Sequence, residues 1–263
     1  MQPDRDTVIR QHLYTKGQAS IQELAEVAQA SLATIRRDLL RLEDKGMVER
    51  THGGARIAGK VGLEVAFEAR ELQNIAAKKA IAQAAYSRLQ PGTSVMLDAG
   101  STVLQLARLL RVAPLPLTVF TNSLVVVQTL NGVEDLRLTL LGGQVRPENH
   151  SVVGPIAEAT IERLWFDQLF LGASAVQDDG TLSTPDAAEA SINLRMLQRA
   201  TRRCILADAT KFGQTATYGV AKLDAATDLI SDAALDSRWR ARLADFGLNV
   251  TIADAATDEA THA

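Results

Sequence analysis

The sequence predicts an α/β protein in which a small helical unit with a β-hairpin precedes a larger, mostly parallel α/β domain. Two observations carry this prediction. Three short helical patterns and a Gly-Gly turn occupy the first 58 residues, and short apolar runs then alternate with helical patterns from Thr93 to Ile252. Repeated strand–helix units are typical of a parallel sheet covered by helices. A chain of 263 residues is long enough for one or two domains.

The composition excludes several classes of protein. Hydrophobic residues make up 46% and charged residues 22% of the chain, close to globular averages, so a disordered chain is not expected. The single cysteine, Cys204, excludes an intrachain disulfide framework and a cysteine-rich zinc module, and we expect it to be a small buried hydrophobe. Aromatic residues make up 4%, too few for a single-strand nucleic-acid binder built on stacking platforms.

The chain shows no sequence signal for secretion or membrane insertion. Its first residues are charged and no apolar run follows them, unlike a signal peptide. The uncharged stretch Val112–Val133 is interrupted by Pro114, Pro116 and Asn122, which predicts two buried elements joined by a polar turn instead of a membrane span. We therefore expect a cytoplasmic protein in a reducing compartment.

The first 58 residues contain three closely spaced helical patterns. The first, Asp6–Tyr14, ends before Gly17. The second opens at Ser20, with Glu23 three residues later in the form of a capping box. The third begins after the cap Ser31 and carries one apolar stripe, made of Ile35, Leu39 and Leu42.

The third helix carries a polar, basic face opposite its apolar stripe. The residues of this face are Thr34, Arg36, Arg37 and Arg41. The three patterns predict a helix-turn-helix whose third helix enters the major groove of DNA, where arginine can bind guanine or phosphate. Strand-like pieces within Met47–Ile57 flank a Gly53-Gly54 turn and predict a wing. The alternative is a small helical domain with solvated charges, because exposed arginines are common.

One segment of this unit resembles a known family signature. Ser31-Leu32-Ala33-Thr34-Ile35-Arg36-Arg37-Asp38-Leu39, followed by Arg50-Thr51-His52-Gly53-Gly54-Ala55, resembles that of the DeoR family of bacterial transcription regulators. The likeness runs without a gap from about Arg5 to Ala55, and Ala19 and Ala30 stand where the family usually has valine. It implies operator-DNA contacts by Ser31, Thr34, Arg36, Arg37, Arg41, Arg50, Thr51, His52 and Gly53.

The rest of the chain predicts a doubly covered sheet. An alanine-rich helix over Ile75–Gln90 precedes the alternating elements. The predicted strands are Ser94–Leu97, Leu117–Phe120, Leu136–Leu141, Gln168–Leu171, Arg203–Ala207, Asp228–Ile230 and Leu248–Ile252. The helices between them are predicted over Thr102–Leu110, Leu124–Leu130, Gly154–Arg163 and Ala187–Ala200. We expect a DNA-binding domain over residues 1–58, a connector over 59–74, an α/β domain over 75–252 and a flexible tail over 253–263.

Polar and glycine-rich loops follow four of these strands. They are Asp98–Thr102, Phe120–Ser123, Leu141–Gly143 and Asp208–Phe212. Hydroxyls, backbone N–H groups and helix N-termini suit a phosphate or carboxylate, glycines let a ligand approach the backbone, and Lys211 could neutralise an anion. Each loop taken singly is also explained as a helix cap or a turn. Their occurrence at successive strand ends favours one ligand site, because ligands of such sheets bind beyond the carboxyl ends of the strands.

These loops also stand in the order of the DeoR-family sensor domain, together with Val153-Gly154, Phe170-Leu171-Gly172 and Glu189. With the front unit, the resemblance covers about Arg5 to Asp232. It implies a fold of the ribose-5-phosphate isomerase-like type, related also to glucosamine-6-phosphate deaminase, and a pocket for a phosphorylated sugar or similar metabolite. The implied effector-binding residues are Asp98, Gly100, Ser101, Thr102, Thr121, Asn122, Gly142, Gly143, Glu189 and Lys211.

The resulting hypothesis is a nucleoid-associated repressor of a carbohydrate catabolic operon, with a winged helix-turn-helix and an α/β sensor domain. Its expected partners are double-stranded operator DNA, a sugar-phosphate effector and further copies of itself, as a dimer or tetramer. No cofactor, metal or catalytic residue is predicted, and Asp178-Asp179-Gly180 is interpreted as a turn. One alternative is a sugar-phosphate isomerase or deaminase with a DNA-binding domain, with Asp98 or Glu189 as general base. A protein-interaction module is the other, but it leaves the basic helix face unexplained.

Overall fold

The computed structural model describes residues 5–44, 47–51, 53–57 and 67–254. The chain forms two compact units that divide between residues 65 and 66. The predicted tail is described only through residue 254, and the predicted connector only from residue 67 on. His52, predicted above as a DNA contact, and Gly46, which the sequence predicts to end the third helix, lie outside the described residues.

The first unit is a winged helix-turn-helix. Its elements are α1 (Arg5–Lys16), β1 (Gln18–Ser20), α2 (Ile21–Val27), α3 (Leu32–Asp44), β2 (Val48–Thr51) and β3 (Gly54–Ile57). The strands form an antiparallel sheet in the order β1-β3-β2, of which β1 was not predicted. Ile35, Leu39 and Leu42 are buried as the apolar stripe required, against Ile9 and Leu24 of the first two helices.

Short-range contacts stabilise the start of α2. The Ser20 hydroxyl accepts a hydrogen bond from Glu23 N at 3.1 Å, which is half of the predicted capping box. The Glu23 carboxylate is bound to Lys16 and to His12, whose Nε2 is 3.1 Å away, and this holds the pKa of Glu23 below its usual range. A Cβ on Gly54 would lie 2.2 Å from the carbonyl oxygen of Ala19, so the close pairing of β1 with β3 requires glycine there.

The second unit contains a seven-stranded parallel sheet in the order β15-β14-β12-β9-β4-β5-β6. Its helices are α4 (Phe67–Leu72), α5 (Ile75–Tyr86), α6 (Ser101–Val112), α7 (Leu124–Leu130), α8 (Pro155–Glu162), α9 (Ala187–Gln198) and α10 (Ser237–Asp245). The strands of the main sheet are β4 (Ser94–Leu97), β5 (Leu117–Thr121), β6 (Leu136–Leu140), β9 (Phe166–Gly172), β12 (Ala200–Leu206), β14 (Thr227–Asp232) and β15 (Asn249–Ala253). The remaining strands are β7 (Gln144–Arg146), β8 (Ser151–Val153), β10 (Ala175–Val176), β11 (Thr181–Thr184) and β13 (Tyr218–Lys222).

Two apolar cores lie on opposite faces of the main sheet. Val95 and Leu97 of β4 belong to one core with α5, α6 and α7. Met96, between them, belongs to the other core with α8, α9 and α10. Alternation of this kind follows from the two-residue period of a strand, and burial of both faces explains why the strands are almost continuously apolar.

The α/β fold class is confirmed, and the strands of the main sheet lie where the sequence predicted them. The small sheet β10-β11-β13 and the hairpin β7-β8 were not predicted, because strands of two to five residues carry too little periodicity. Helix α4, inside the predicted connector, and α10 were also missed. Helix α5 ends at Tyr86, four residues before the predicted end at Gln90. No helix of the described segments combines the length and apolarity needed to span a bilayer.

Candidate DNA-binding and effector sites

The N-terminal half of α3 presents two free arginines. Arg36 and Arg37 are exposed, and neither pairs with a carboxylate of another described residue. Their neighbour Ile35 is fully buried, so the helix is held to its unit while the two guanidinium groups remain in solvent. Such groups are available for base edges or phosphates without first breaking an ion pair.

Ser31 and Thr34 at the start of α3 serve the helix itself. The Ser31 hydroxyl accepts a hydrogen bond from Thr34 N at 3.2 Å and lies 2.8 Å from the Thr34 hydroxyl. This is the predicted N-cap. If Ser31 and Thr34 contact DNA, we expect their partner to be a backbone phosphate at the start of α3, which would take the place of the cap contact.

Arg41 differs from Arg36 and Arg37. Its guanidinium is paired with Asp6 and lies 3.1 Å from the buried carboxylate of Asp38, which also binds Arg5 at 2.6 Å. The sequence grouped Arg41 with the DNA-facing arginines by helical position alone. In the structure its charge is shared with two carboxylates that join α1 to α3.

The wing places its predicted residues on a tight turn. Arg50 and Thr51 are exposed at the end of β2, and Arg50 is 3.9 Å from Glu43. Gly53 has a φ of +87°, the left-handed conformation that glycine adopts without strain, and is exposed. Arg56 is bound to Glu49 across the hairpin at 2.6 Å.

In the second unit, the loop after β4 is buried and closely packed. Asp98 accepts a hydrogen bond at Oδ2 from Gly172 N, at 3.1 Å. A Cβ built on Gly100 would lie 3.2 Å from the Gly172 Cα, so the loop after β4 meets the last residue of β9 at two glycines. Burial, and then the nearby charge of Glu189, raise the pKa of Asp98 to about 7.

Buried polar groups extend from this loop to the next strand. Ser101 and Thr102 begin α6, and Thr121 accepts a hydrogen bond from Ser123 N at 3.0 Å. Asn122 donates weakly to the Val152 carbonyl at 3.4 Å, while its own Oδ1 is buried and has no hydrogen-bond partner among the described residues. An unsatisfied buried acceptor of this kind requires an explanation, and a ligand donor supplies one.

The Gly142-Gly143 pair has a structural reason of its own. Gly143 has a φ of +150°, and a Cβ there would lie 2.7 Å from the Val153 carbonyl oxygen. The glycine is thus required by the packing of β7 against β8, and access of a ligand to the backbone is not needed to explain it. Gly142 is exposed, and a Cβ there would make only an ordinary contact with Ile156 Cγ2 at 3.9 Å.

Glu189 lies in a buried ion pair that the sequence did not predict. Its carboxylate is 2.9 Å from Arg146 of β7, and both side chains are almost fully buried. Asp186 caps α9 by accepting from Glu189 N at 2.8 Å and lies 3.5 Å from the same arginine. Burial raises the pKa of Glu189, and the charge of Arg146 opposes this. Arg146 escaped sequence analysis because β7 itself was not recognised.

Lys211 lies in a turn with a second, buried lysine nearby. Asp208 caps this turn through Thr210 N at 3.1 Å, and its Oδ2 is buried without a hydrogen-bond partner among the described residues. Lys78 of α5 is 2% exposed, and its charge interacts with those of both Asp208 and Lys211. Burial lowers the pKa of Lys78 to about 8. In the sequence, Lys78 is one of two adjacent lysines in an alanine-rich helix and gives no sign of burial.

A cavity of about 310 Å³ lies at the opposite, amino-terminal end of the sheet. Its walls include Arg88, Gln168, Cys204, Asp228 and Asn249. Most of these groups satisfy one another: Arg88 is 3.2 Å from Asp228, which also accepts from Asn249 at 2.8 Å. Burial raises the pKa of the Cys204 thiol to about 12, so Cys204 is a buried, unreactive side chain, as expected from its sequence context. None of the predicted effector residues lines this cavity.

The predicted effector residues thus lie at or beyond the carboxyl ends of the parallel strands, where both cationic and carboxylate side chains occur. Lys78, Lys211 and Arg146 supply positive charge, and Asp98 and Glu189 supply buried acceptors. Such a set can neutralise an anionic group and accept hydrogen bonds from hydroxyls. Within the described segments no group of three or more His, Cys, Asp and Glu side chains could hold a metal ion.

Comparison with known proteins agrees with both units. The profile of the DeoR-like helix-turn-helix domain matches residues 5–61, and that of the DeoR C-terminal sensor domain matches residues 73–233. A ribose-5-phosphate isomerase A from Methanocaldococcus jannaschii is 18% identical over 51% of this chain and 53% of its own, with a TM-score of 0.38, a likeness too weak to bear on ligand or chemistry.

Three curated relatives are similar over most of their length. The HTH-type transcriptional regulator GlpR of Haloferax volcanii is 38% identical over 88% of this chain and 90% of its own. The putative aga operon transcriptional repressor of Escherichia coli O157:H7 is 33% identical, with 82% and 81% covered. The HTH-type transcriptional repressor CsqR of Escherichia coli K12 is 31% identical, with 90% of each chain covered. With its winged helix-turn-helix and its α/β sensor domain, the chain is a DNA-binding transcription regulator of the DeoR family.

Proposed function

We propose that this regulator represses a carbohydrate catabolic operon and that a phosphorylated sugar or related metabolite controls it from the carboxyl end of the sheet. The observation that carries the proposal is the set of buried polar groups at that end. Asn122 Oδ1 and Asp208 Oδ2 are buried without hydrogen-bond partners among the described residues, and Lys78 is buried nearby as a cation. An unsatisfied buried polar group costs about 1–3 kcal/mol, which a ligand with matching hydroxyls and charge recovers.

The charge pattern favours a phosphorylated polyhydroxylated ligand over an apolar one. The charges of Lys78 and Lys211 repel each other, and the charge of Asp208 offsets this repulsion at Lys78, so an anionic ligand would be attracted by both lysines. Arg146 is already paired with Glu189, so this pair presents fixed donors and acceptors for hydroxyls. We therefore assign the anionic group to the lysines and the hydroxyl groups to the Arg146–Glu189 pair.

For DNA, we propose that Arg36 and Arg37 of α3 enter the major groove and that the Gly53 turn of the wing contacts the backbone. Ser31, Thr34, Arg50, Thr51 and His52 remain proposed contacts around them, and Arg41 is proposed to act mainly by holding α3 to α1. Two copies of the unit in a homo-oligomer would read two half-sites of an operator.

One experiment tests both halves of the proposal. Fluorescence anisotropy of the full chain on DNA from upstream of its own gene and the neighbouring genes is measured at one fixed salt concentration, since phosphate contacts make affinity steeply salt-dependent. Sugar phosphates and their unphosphorylated parents are then added in turn. Specific binding that one phosphorylated sugar shifts supports the proposal. Specific binding that no phosphate ester shifts contradicts the effector assignment, and the absence of specific binding by folded protein contradicts the DNA assignment.

Catalysis is the second candidate, because Asp98 has a pKa of about 7 beside another buried carboxylate. Against it, Asp98 is held by the backbone of Gly172 and Glu189 is neutralised by Arg146. We therefore propose that the site binds its ligand without turning it over. Incubation with aldose and ketose phosphates, followed by product analysis, checks this: turnover that Asp98→Asn abolishes would establish an enzyme.

A further inference from the structure

The first helix after the boundary between the units is hydrogen-bonded to residues of the candidate effector site and of the segment beside it. Helix α4 spans Phe67–Leu72, and the division between the units lies at residues 65 and 66. Among the described residues, α4 is therefore the element of the second unit that lies nearest in sequence to the DNA-binding unit. The contacts of α4 within its own unit decide what can move it.

Two side chains of α4 reach the segment between β7 and β8. Phe67 is 2% exposed, and its ring meets that of His150 edge-on at 5.8 Å. The Arg70 guanidinium lies over the Phe67 ring at 5.8 Å and donates to Asn149 Oδ1 at 2.6 Å. The position of α4 is thus tied to the segment that directly follows Arg146 in the chain.

The end of α4 is held by a residue of the effector site. Lys78 Nζ donates to the carbonyl of Arg70 and, at 2.7 Å, to the carbonyl of Gln73. The last carbonyls of a helix have no partner within the helix, so an ammonium group there stabilises its end. In the next turn, Asn74 donates to Asp208 Oδ1 at 3.2 Å. Lys78, one of the two lysines assigned above to the anion, therefore also holds the end of α4.

The charge of Arg70 acts on the buried carboxylates of the site. It lowers the pKa of Asp98 and of Glu189, and it also lowers that of Lys78. An anion that binds beside Lys78 attracts the charges of Lys78 and Arg70. It therefore weakens the hydrogen bonds that Lys78 donates to the Arg70 and Gln73 carbonyls. The preferred position of α4 then differs between the empty and the occupied site. The effector therefore binds the two positions with unequal affinity, which is the condition for coupling.

We propose that α4 is the coupling element of this regulator and that Arg70 is the positioning residue that makes the placement of α4 depend on occupancy of the effector site. The inference rests on the proposed function, since it assumes an anionic effector at that site. In this proposal α4, which lies within the predicted connector, changes position when a ligand binds, through the Arg70–Asn149 contact and the contacts of Lys78 with the α4 carbonyls.

The chain offers a direct reporter for this movement. Leu72 at the end of α4 is 78% exposed, so Leu72→Cys can carry a fluorophore with little disturbance. Cys204 is buried and its thiol pKa is about 12, so it stays unlabelled. Fluorophore anisotropy is followed while glucose 6-phosphate, fructose 6-phosphate and inorganic phosphate are titrated into the full chain, and calorimetry on the same samples measures binding separately.

Arg70→Gln in the labelled chain is compared with Arg108→Gln. Arg108 pairs with Glu71 of α4 but extends from α6, so its loss removes a contact of α4 that does not involve Arg70. We expect a probe that binds to change the reporter signal in the parent and in Arg108→Gln. In Arg70→Gln the same probe should still bind, within about tenfold of the parent affinity, and the reporter signal should stay flat.

Three outcomes overturn the inference, and each has its own signature. Calorimetric binding with no reporter change in the parent means that α4 does not respond, while the proposed function stands. A response that Arg70→Gln retains, or that is lost equally in Arg70→Gln and Arg108→Gln, means that Arg70 has no special role in placing α4. If calorimetry finds no binding by any of the three probes, an anionic effector of this class is contradicted together with the inference.

Discussion

The carboxylate of Asp98 accepts a hydrogen bond from the backbone N–H of Gly172 at 3.1 Å, and this contact joins the loop after β4 to the last residue of the adjacent strand β9. The carboxylate is buried and lies near the charge of Glu189, which raises its pKa to about 7. The charge at the centre of the candidate effector site therefore changes within the neutral pH range. Two of the predictions below follow from this relationship.

Replacement of Asp98 by asparagine should change how stability depends on pH. The folded-state pKa of about 7 lies above the ordinary value of 3.8, so folding takes up a proton between these values and stability is lost as pH rises through them. The asparagine side chain of the variant cannot titrate. We expect the melting temperature of Asp98→Asn, relative to the parent, to rise from pH 4 to pH 7 and then level off in thermal melts of the full chain. A constant difference across this range would contradict a raised pKa, whatever the size of the offset.

Effector affinity should fall as pH rises from 7 to 8.5. A bound phosphate ester disfavours ionisation of Asp98, so binding takes up a proton there, and Lys78, with a pKa of about 8, loses its charge over the same range. The ester itself stays a dianion, since its second pKa is about 6. We expect a loss of about tenfold, because one pKa unit corresponds to about 1.4 kcal/mol. Calorimetry at several pH values tests this, and an affinity that is flat or that rises with pH would be the contrary result.

Lys211→Ala should weaken the effector response and leave operator binding intact. A hydrogen bond to a charged group contributes about 1.5–3 kcal/mol, so effector affinity should fall by about 10- to 100-fold. Lys222→Ala is the matched control, because Lys222 is an exposed lysine on β13. Anisotropy on operator DNA with and without the effector measures both quantities. A Lys211→Ala protein with the parent's response would remove Lys211 from the site.

Arg36→Ala and Arg37→Ala should each weaken operator binding by about 1–3 kcal/mol, the cost expected for loss of one bidentate base contact. Neither arginine is paired with a carboxylate of another described residue, so the fold of the unit should be unaffected, which circular dichroism can check. Arg238→Ala, which removes an exposed arginine from α10 of the sensor domain, is the control. Unchanged operator affinity in both α3 variants would exclude this helix as the recognition helix.

Arg41→Ala should behave differently from these two variants. Arg41 binds Asp6 and lies 3.1 Å from Asp38, a carboxylate that is 2% exposed. Loss of one partner of a nearly buried carboxylate destabilises the fold, although Arg5 remains to compensate in part. We expect a lower melting temperature of the first unit, with a smaller loss of operator affinity than in Arg36→Ala when both are measured well below the melting transition. A stable Arg41→Ala protein with a large loss of affinity would instead make Arg41 a direct DNA contact.

The contrast between Arg36 and Arg41 shows what helical periodicity can and cannot predict about the charges of α3. The sequence pattern assigns both to the polar face of α3 opposite Ile35 and Leu39 and treats them as equivalent DNA contacts. Whether a guanidinium is free depends on which carboxylates another helix brings close, and Asp6 comes from α1, 35 residues away in the sequence. The local sequence pattern thus predicts the polar face of α3, and contacts with residues far away in the sequence decide which arginines of that face remain unpaired.

The order of the elements, the main parallel sheet and the loops at its carboxyl end could all be predicted from the sequence. These features follow from short-range physics: the period of apolar residues, the cap at Ser31 and the glycines in loops such as the one after β4. Which neighbouring charges become buried could not be predicted. Lys78 and Lys79 are adjacent in one alanine-rich helix, yet Lys78 is buried against the end of α4 and Lys79 is exposed. The tertiary fold selects between them, because the burial of an ion depends on partners such as Asp208 that lie far away in the chain.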